Sequence, residues 1–120
     1  MSHPVDGSVA SGTAKAAGTY TTGDLNNYNA KGGQFYINIT ALTGTLTVTI
    51  EGKDPASGTY YTVLASSALS STGFTLLTIY PGMTASANAV ANNILPKTFR
   101  IKQVVATGPA TYTIGQSLVV

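Results

Sequence analysis

Residues 35–51, FYINITALTGTLTVTIE, constrain the fold more than any other stretch of the chain. Phe35, Ile37 and Ile39 alternate with Tyr36, Asn38 and Thr40, and Leu46, Val48 and Ile50 then alternate with Thr45, Thr47, Thr49 and Glu51. A period of two puts every second side chain on the same face, so the stretch reads as two strands, each buried on one side. The residues between them, Ala41 to Thr45, are few enough for a hairpin loop, and Gly44 can take the positive φ that such loops need. A single hairpin is marginal in water, so its apolar face requires further strands to lie on.

The remainder of the chain supplies them. Turn formers crowd residues 51–59, where Asp54-Pro55 opens a turn and Ser57-Gly58 closes it, giving a hairpin tip. A strand follows at residues 60–64. Another is expected at 74–80, with Phe74, Leu76 and Tyr80 on one face and Leu77 and Ile79 on the other, which suggests a strand covered on both sides. Residues 65–73, ASSALSSTG, read as a crossing between sheets with a brief edge strand. The longest irregular stretch is 81–96, PGMTASANAVANNILP, where Gly82 and the asparagines oppose a helix. Residues 97–105 form a strand with Phe99 and Ile101 inward and Arg100 and Lys102 outward, and 111–120 close the chain. With six to eight short strands, Gly-rich turns and no sizeable helix, the expected class is all-β. The architecture is a two-sheet antiparallel β-sandwich of immunoglobulin-like or jelly-roll connectivity.

One hundred and twenty residues make one domain. Residues 30–120 hold almost all the core-forming side chains, whereas 1–29 scatter Val5, Val9, Tyr20, Leu25 and Tyr28 among Ser, Gly, Ala, Thr and Asn. That segment reads as an extended N-terminal arm, docked on its own domain or on a neighbour. Within it residues 18–22 suit a short strand and 25–29 a turn-rich connection.

Composition narrows the function. About a quarter of the chain is Ser or Thr, and only 8% is charged, against roughly 25% in an average domain. Few ions must lose water when such a surface meets another protein, which favours an extensive permanent contact. The six basic residues leave a net charge of +2, and the densest grouping, Lys97, Arg100 and Lys102, falls far short of a phosphate-neutralising cluster; no nucleic-acid partner is expected. No apolar run is long enough for a membrane span, and the opening MSHPVDGSVASG lacks a basic segment leading into an apolar one, so neither a membrane nor a secretion signal is expected.

Catalytic chemistry finds little support. Cysteine is absent, and His3 is the only histidine. No G-x-S-x-G elbow accompanies the serines, and no GxGxxG or GxxxxGK[ST] phosphate cradle accompanies the glycines. Glu51 and Asp54 flank one turn, and with Ser57 they form the best available set for a weakly held calcium ion, but a solvated hairpin tip accounts for them. Tyr28, Tyr36, Tyr60 and Tyr61 are candidates for an aromatic sugar platform, although tyrosines on strands are ordinarily sheet residues. No cofactor and no enzymatic activity are expected.

Three segments in order, TVTIEGKDPASGTYYTVL at 47–64, IYPGM at 79–83 and ANNILPKTFRIK at 91–102, resemble small β-sandwich structural proteins encoded in the head gene clusters of tailed bacteriophages. In that family an IEG-(K/S)D hairpin, a PG turn and an LPR-W-R-V-like strand recur. Here Lys97 follows the Pro, Phe99 takes the aromatic position and Arg100 keeps the arginine. The likeness covers residues 30–118 and leaves the arm outside it. It implies a capsid decoration protein, made in the bacterial cytoplasm and bound on the outer capsid surface of the virion. Its partner would be the major capsid protein, and it would act as a homo-oligomer, a trimer foremost. A tail or head-fibre module and a carbohydrate-binding module are the alternatives. The expected partner contacts lie on the arm (Val5, Val9, Tyr20, Leu25, Tyr28), on the long loop (Met83, Asn88, Asn92, Asn93) and on the basic strand (Lys97, Arg100, Lys102).

Overall fold

Residues 6–27 and 30–119 are described by a computed structural model. Among them run ten strands: β1 (Asp6–Lys15), β2 (Gly18–Thr21), β3 (Leu25–Asn26), β4 (Gly32–Leu42), β5 (Thr45–Lys53), β6 (Tyr60–Ala65), β7 (Gly73–Ile79), β8 (Val90–Ala91), β9 (Thr98–Ala106) and β10 (Ala110–Val119). One sheet has the order β1-β10-β4-β7-β8, and the other β2-β9-β5-β6 with β3 also paired to β9. Every pair is antiparallel except β7 with β8. The all-β two-sheet sandwich is as expected, but the strands exceed the expected six to eight. The additional ones are β1, β3 and β8. β1 has little apolar periodicity, and β3 and β8 are two residues each, so neighbouring strands rather than their own side chains define them.

Residues 35–51 do not form a hairpin. β4 pairs with β10 and β7 in the first sheet, whereas β5 pairs with β9 and β6 in the second. The connection is an arch that carries the chain across the core, so Phe35, Ile37 and Ile39 face Leu46, Val48 and Ile50 instead of lying beside them. Alternation alone fits either geometry, because both put one face inward. Gly44 turns the arch with φ of 85°. A Cβ there would strike the carbonyl oxygens of Ala106 and Thr107, where a second arch carries β9 into β10. Thr43 N–H donates to the Pro109 carbonyl at 3.0 Å and ties the arches together. Among the described residues the only hairpin that stays in one sheet is β5–β6, with its tip at residues 54–59, inside the stretch 51–59 expected to turn.

The core lies between the sheets. Phe35, Ile37, Leu77, Ile79, Tyr112 and Ile114 from the first meet Leu46, Val48, Ile50, Phe99, Ile101 and Val105 from the second, all essentially inaccessible. Phe35 and Phe99 meet edge to face, with ring centres 6.1 Å apart. Fully burying a side chain of this kind contributes roughly 1.5–3 kcal/mol, so these residues dominate stability.

Residues 6–26 are built into this sandwich. β1 runs along β10, pairing Asp6 with Ser117 and Lys15 with Ala110, while β2 and β3 share the outer edge of β9. The segment is therefore a set of edge strands docked on its own domain, and β2 coincides with the short strand expected at 18–22. Backbone pairing explains how a stretch so poor in apolar residues is held. Asn27, buried, anchors its far end: its amide donates to the carbonyls of Ala30 (2.7 Å) and Leu95 (3.0 Å), and its Oδ1 accepts from Ala30 N–H.

Four antiparallel pairs nest around one another: β5 with β6, β4 with β7, β2 with β9, and β1 with β10. The pairs alternate between the sheets, so the chain winds as one folded-over ribbon.

Candidate interaction surface

The twelve residues expected at partner contacts do not converge. Val5 and Tyr28 lie outside the described residues. Val9, Tyr20 and Leu25 are partly buried and pack against the protein's own core. Val9 and Tyr20 also line a polar groove of about 460 Å³ between β1 and β2, where the Lys15 ammonium sits 4.5 Å from the centre of the Tyr20 ring. On the long loop the asparagines work locally. Asn92 Oδ1 accepts from Gly82 N–H, Asn93 Oδ1 from Ile94 N–H, and the Asn88 amide donates to the Ala65 carbonyl. Met83 is exposed beside a shallow hollow of about 330 Å³ formed with Gln34, Thr78, Tyr80 and Val119.

Lys97 is exposed at the start of the basic strand, while Arg100 and Lys102 project from the outer face of the second sheet. Arg100 sits opposite Glu51 in the ladder, and its Nε donates to Glu51 Oε1 at 2.8 Å. Its guanidinium lies 3.5 Å from the centre of the Tyr60 ring. Tyr60 donates its hydroxyl to Asp24 Oδ1 at 2.6 Å, and Lys53 Nζ reaches Asp24 Oδ2 at 2.9 Å. The hydrogen bond from Tyr60, then that from Lys53, holds the Asp24 carboxyl below its ordinary value; Asp24 in turn raises the Lys53 ammonium. These five groups neutralise one another across β5, β6, β9 and the connection before β3, so Arg100 is held in a network of its own chain rather than left free for a partner.

The geometry also separates the candidate ion ligands and the tyrosines. Glu51 is engaged by Arg100, whereas Asp54 accepts from Ser57 Oγ (2.6 Å) and Ala56 N–H (3.0 Å) and is lowered chiefly by the Ser57 bond. Among the described residues no group of three or more acidic, His or Cys side chains could hold a metal. Tyr60 lies on the outer face of the second sheet, Tyr61 covers Gly52 beside Pro96, and Tyr36 belongs to the first sheet. They share no platform.

The outer face of the first sheet is different in kind. On its three central strands the outward positions are Gln34, Tyr36, Asn38 and Thr40 on β4, Phe74, Leu76 and Thr78 on β7, and Thr111, Thr113, Gly115, Ser117 and Val119 on β10. None is charged. Phe74 is 63% exposed and Leu76 39%, so β7 is covered on one face only, not on both as its pattern suggests. Tyr36 lies opposite Leu76 in the ladder and stacks on Phe74 with ring centres 6.1 Å apart. Sequence reasoning misses this aromatic and aliphatic cluster, because apolar residues at 74 and 76 imply a cover that they lack. The available signal was the absence of charge at every outward position of three strands.

No helix among the described residues is long and apolar enough to cross a membrane. No protein-family model matches the chain, and neither a curated protein nor a solved structure does.

Proposed function

We propose that this chain is a non-enzymatic structural protein of a bacteriophage virion, a decoration protein that binds the outside of the capsid shell through the outer face of its first sheet. One observation carries the reading. The face formed by β10, β4 and β7 is uncharged and lined with hydroxyls, with Tyr36, Phe74 and Leu76 at its apolar side. Desolvating such a face costs little, and its aromatic and aliphatic groups supply the anchor that protein interfaces use. The resemblance of residues 47–64, 79–83 and 91–102 to phage head proteins supplies the partner class, the major capsid protein. The nested strand pairing supports a jelly-roll order over an immunoglobulin-like one, an architecture shared by capsid and lectin domains. Fold alone does not choose between those roles.

Mechanistically, a subunit that binds the assembled shell and not free capsid protein stabilises the shell by mass action. The test is quantitative mass spectrometry of purified particles of the source virus. Copies in a simple ratio to the shell protein are expected, and a mere handful would move the chain to the tail or a single vertex. Asn38→Lys and Thr113→Lys, which each place an ammonium on the face, should lower occupancy at least tenfold, equivalent to about 1.4 kcal/mol. Lys102→Ala on the opposite face should leave occupancy unchanged; equal loss with all three would refute the assignment of the face.

A further inference from the structure

The first sheet ends on an incomplete ladder. Thr78 N–H donates to the Ala89 carbonyl and Tyr80 N–H to the Ala91 carbonyl, so the even-numbered residues of this strand turn their backbone groups towards β8. β8 pairs only with Thr78 and Ile79. By the alternation of a strand, Phe74 and Leu76 present N–H and C=O in the same direction beyond the end of β8, where no described strand pairs with them. This part of β7 is regular, with no register shift against β4 from Gly73 to Ile79. The other edges are less suited to pairing. β1 is broken by two register shifts, β2 and β3 are short, and β6 carries an irregularity opposite Ile50 and Glu51. An edge that is straight, uncharged and flanked by Phe74 and Leu76 has none of the devices that keep strands from pairing.

The geometry points to a second copy of this chain as the occupant, its own residues 74–76 added antiparallel across a twofold axis at Thr75. That register sets Phe74 against Leu76 of the second copy twice over, and uses both open N–H and both open C=O groups of each strand. Four backbone hydrogen bonds close the ladder. Both Phe74–Leu76 pairs fall on the outer face, where cross-strand apolar neighbours stabilise a sheet. The open stretch is bounded at both ends, by Ala89 beside Leu77 and by the bend at residues 71 and 72 that precedes Gly73. The absence of charge at the outward positions of β7 and β4 removes the repulsion that two identical edges would otherwise suffer. The elementary unit is then a twofold dimer, in place of the trimer that the phage resemblance implies, and the uncharged faces of β10, β4 and β7 from its two copies merge into one surface. The pairing is a property of the isolated chain and stands or falls independently of the virion role.

Because the chain has no cysteine, crosslinking reads the register directly. Thr75 hydrogen-bonds in register with Ile37 of β4, so across the axis it forms a non-hydrogen-bonded pair with Cα atoms about 4.5 Å apart, within disulfide reach. Under mild oxidation Thr75→Cys should become a covalent dimer, while Thr62→Cys, on the exposed edge β6, should remain monomeric. In sedimentation the unmodified chain should dimerise with rising concentration. Leu76→Pro, which removes an edge-facing N–H and one side chain of the pair but no hydrogen bond to β4, and Phe74→Lys should sediment as monomers with an unchanged circular dichroism spectrum. Should Leu76→Pro fail to fold, Phe74→Lys decides. A chain that is monomeric throughout, a dimer that survives Phe74→Lys, or equal crosslinking at residues 75 and 62 would each overturn the proposal.

Discussion

The Tyr112 hydroxyl lies inside the sandwich, where it donates to Gln103 Oε1 at 3.0 Å while the Gln103 amide donates to the Ile101 carbonyl at 2.9 Å. Burial pushes the Tyr112 phenol up from its ordinary value, so it stays a donor. Tyr112→Phe would leave Gln103 Oε1 buried without its partner, which should cost about 1–3 kcal/mol in denaturant unfolding. At the surface, Asp24 links β3's connection to the β5–β6 hairpin. Its carboxyl lies below the ordinary 3.8 in the folded protein, so the folded state gains from its charge above pH 3.8 and loses that gain as pH falls through the lowered value. The pair with Lys53 is a third exposed, which limits the effect to a small one. Melting temperature followed from neutral to acid pH should fall less steeply for Asp24→Asn than for the unaltered chain. At this scale alternation was readily legible: Phe99 and Ile101 are inward and Arg100 and Lys102 outward, as the sequence indicates. The inward Gln103 was not, since a polar residue on the core side declares itself only when its partner from β10 is known.

Elements were legible to the extent that they carried their own apolar period. β4, β5, β6, β7, β9 and β10 all do, and each is found close to its expected bounds. β1 does not: its only large apolar side chain is Val9, and it is a strand because β10 offers it an edge. Deletion of residues 1–20 removes β1 and most of β2, baring β10 and β9 along one side. Such a chain should lose most of its cooperative unfolding transition in circular dichroism, rather than behave as a sandwich freed of an arm. The assignment of residues 35–51 to an arch marks the opposite limit. Local sequence specifies two one-sided strands, but which sheet receives the second one is decided by β9 and β10, more than forty residues away. The Cβ-free path at Gly44, pressed against the carbonyls of Ala106 and Thr107, is where that long-range choice touches the sequence.

At the scale of the molecule the two outer faces have divided the chemistry between them. The second sheet carries Glu51, Lys53, Arg100 and Lys102, whereas the outward positions of β10, β4 and β7 carry no charge. Composition announced a low total charge, but the segregation emerges only when the strands are dealt to their sheets, since outward residues of β4 and β5 look alike in sequence and end on opposite surfaces. The nested pairing has a further consequence for how the molecule comes into being. β5 and β6 meet across a few residues, whereas β1 waits for a partner that lies at the far end of the chain, and the entropy of closing a loop rises with its length. β10 therefore seals the layer that β1 began. Without β10, Phe35, Ile37 and Ile39 of β4 lack their neighbour on one side, so the uncharged face is exposed to its surroundings only once β10 has paired.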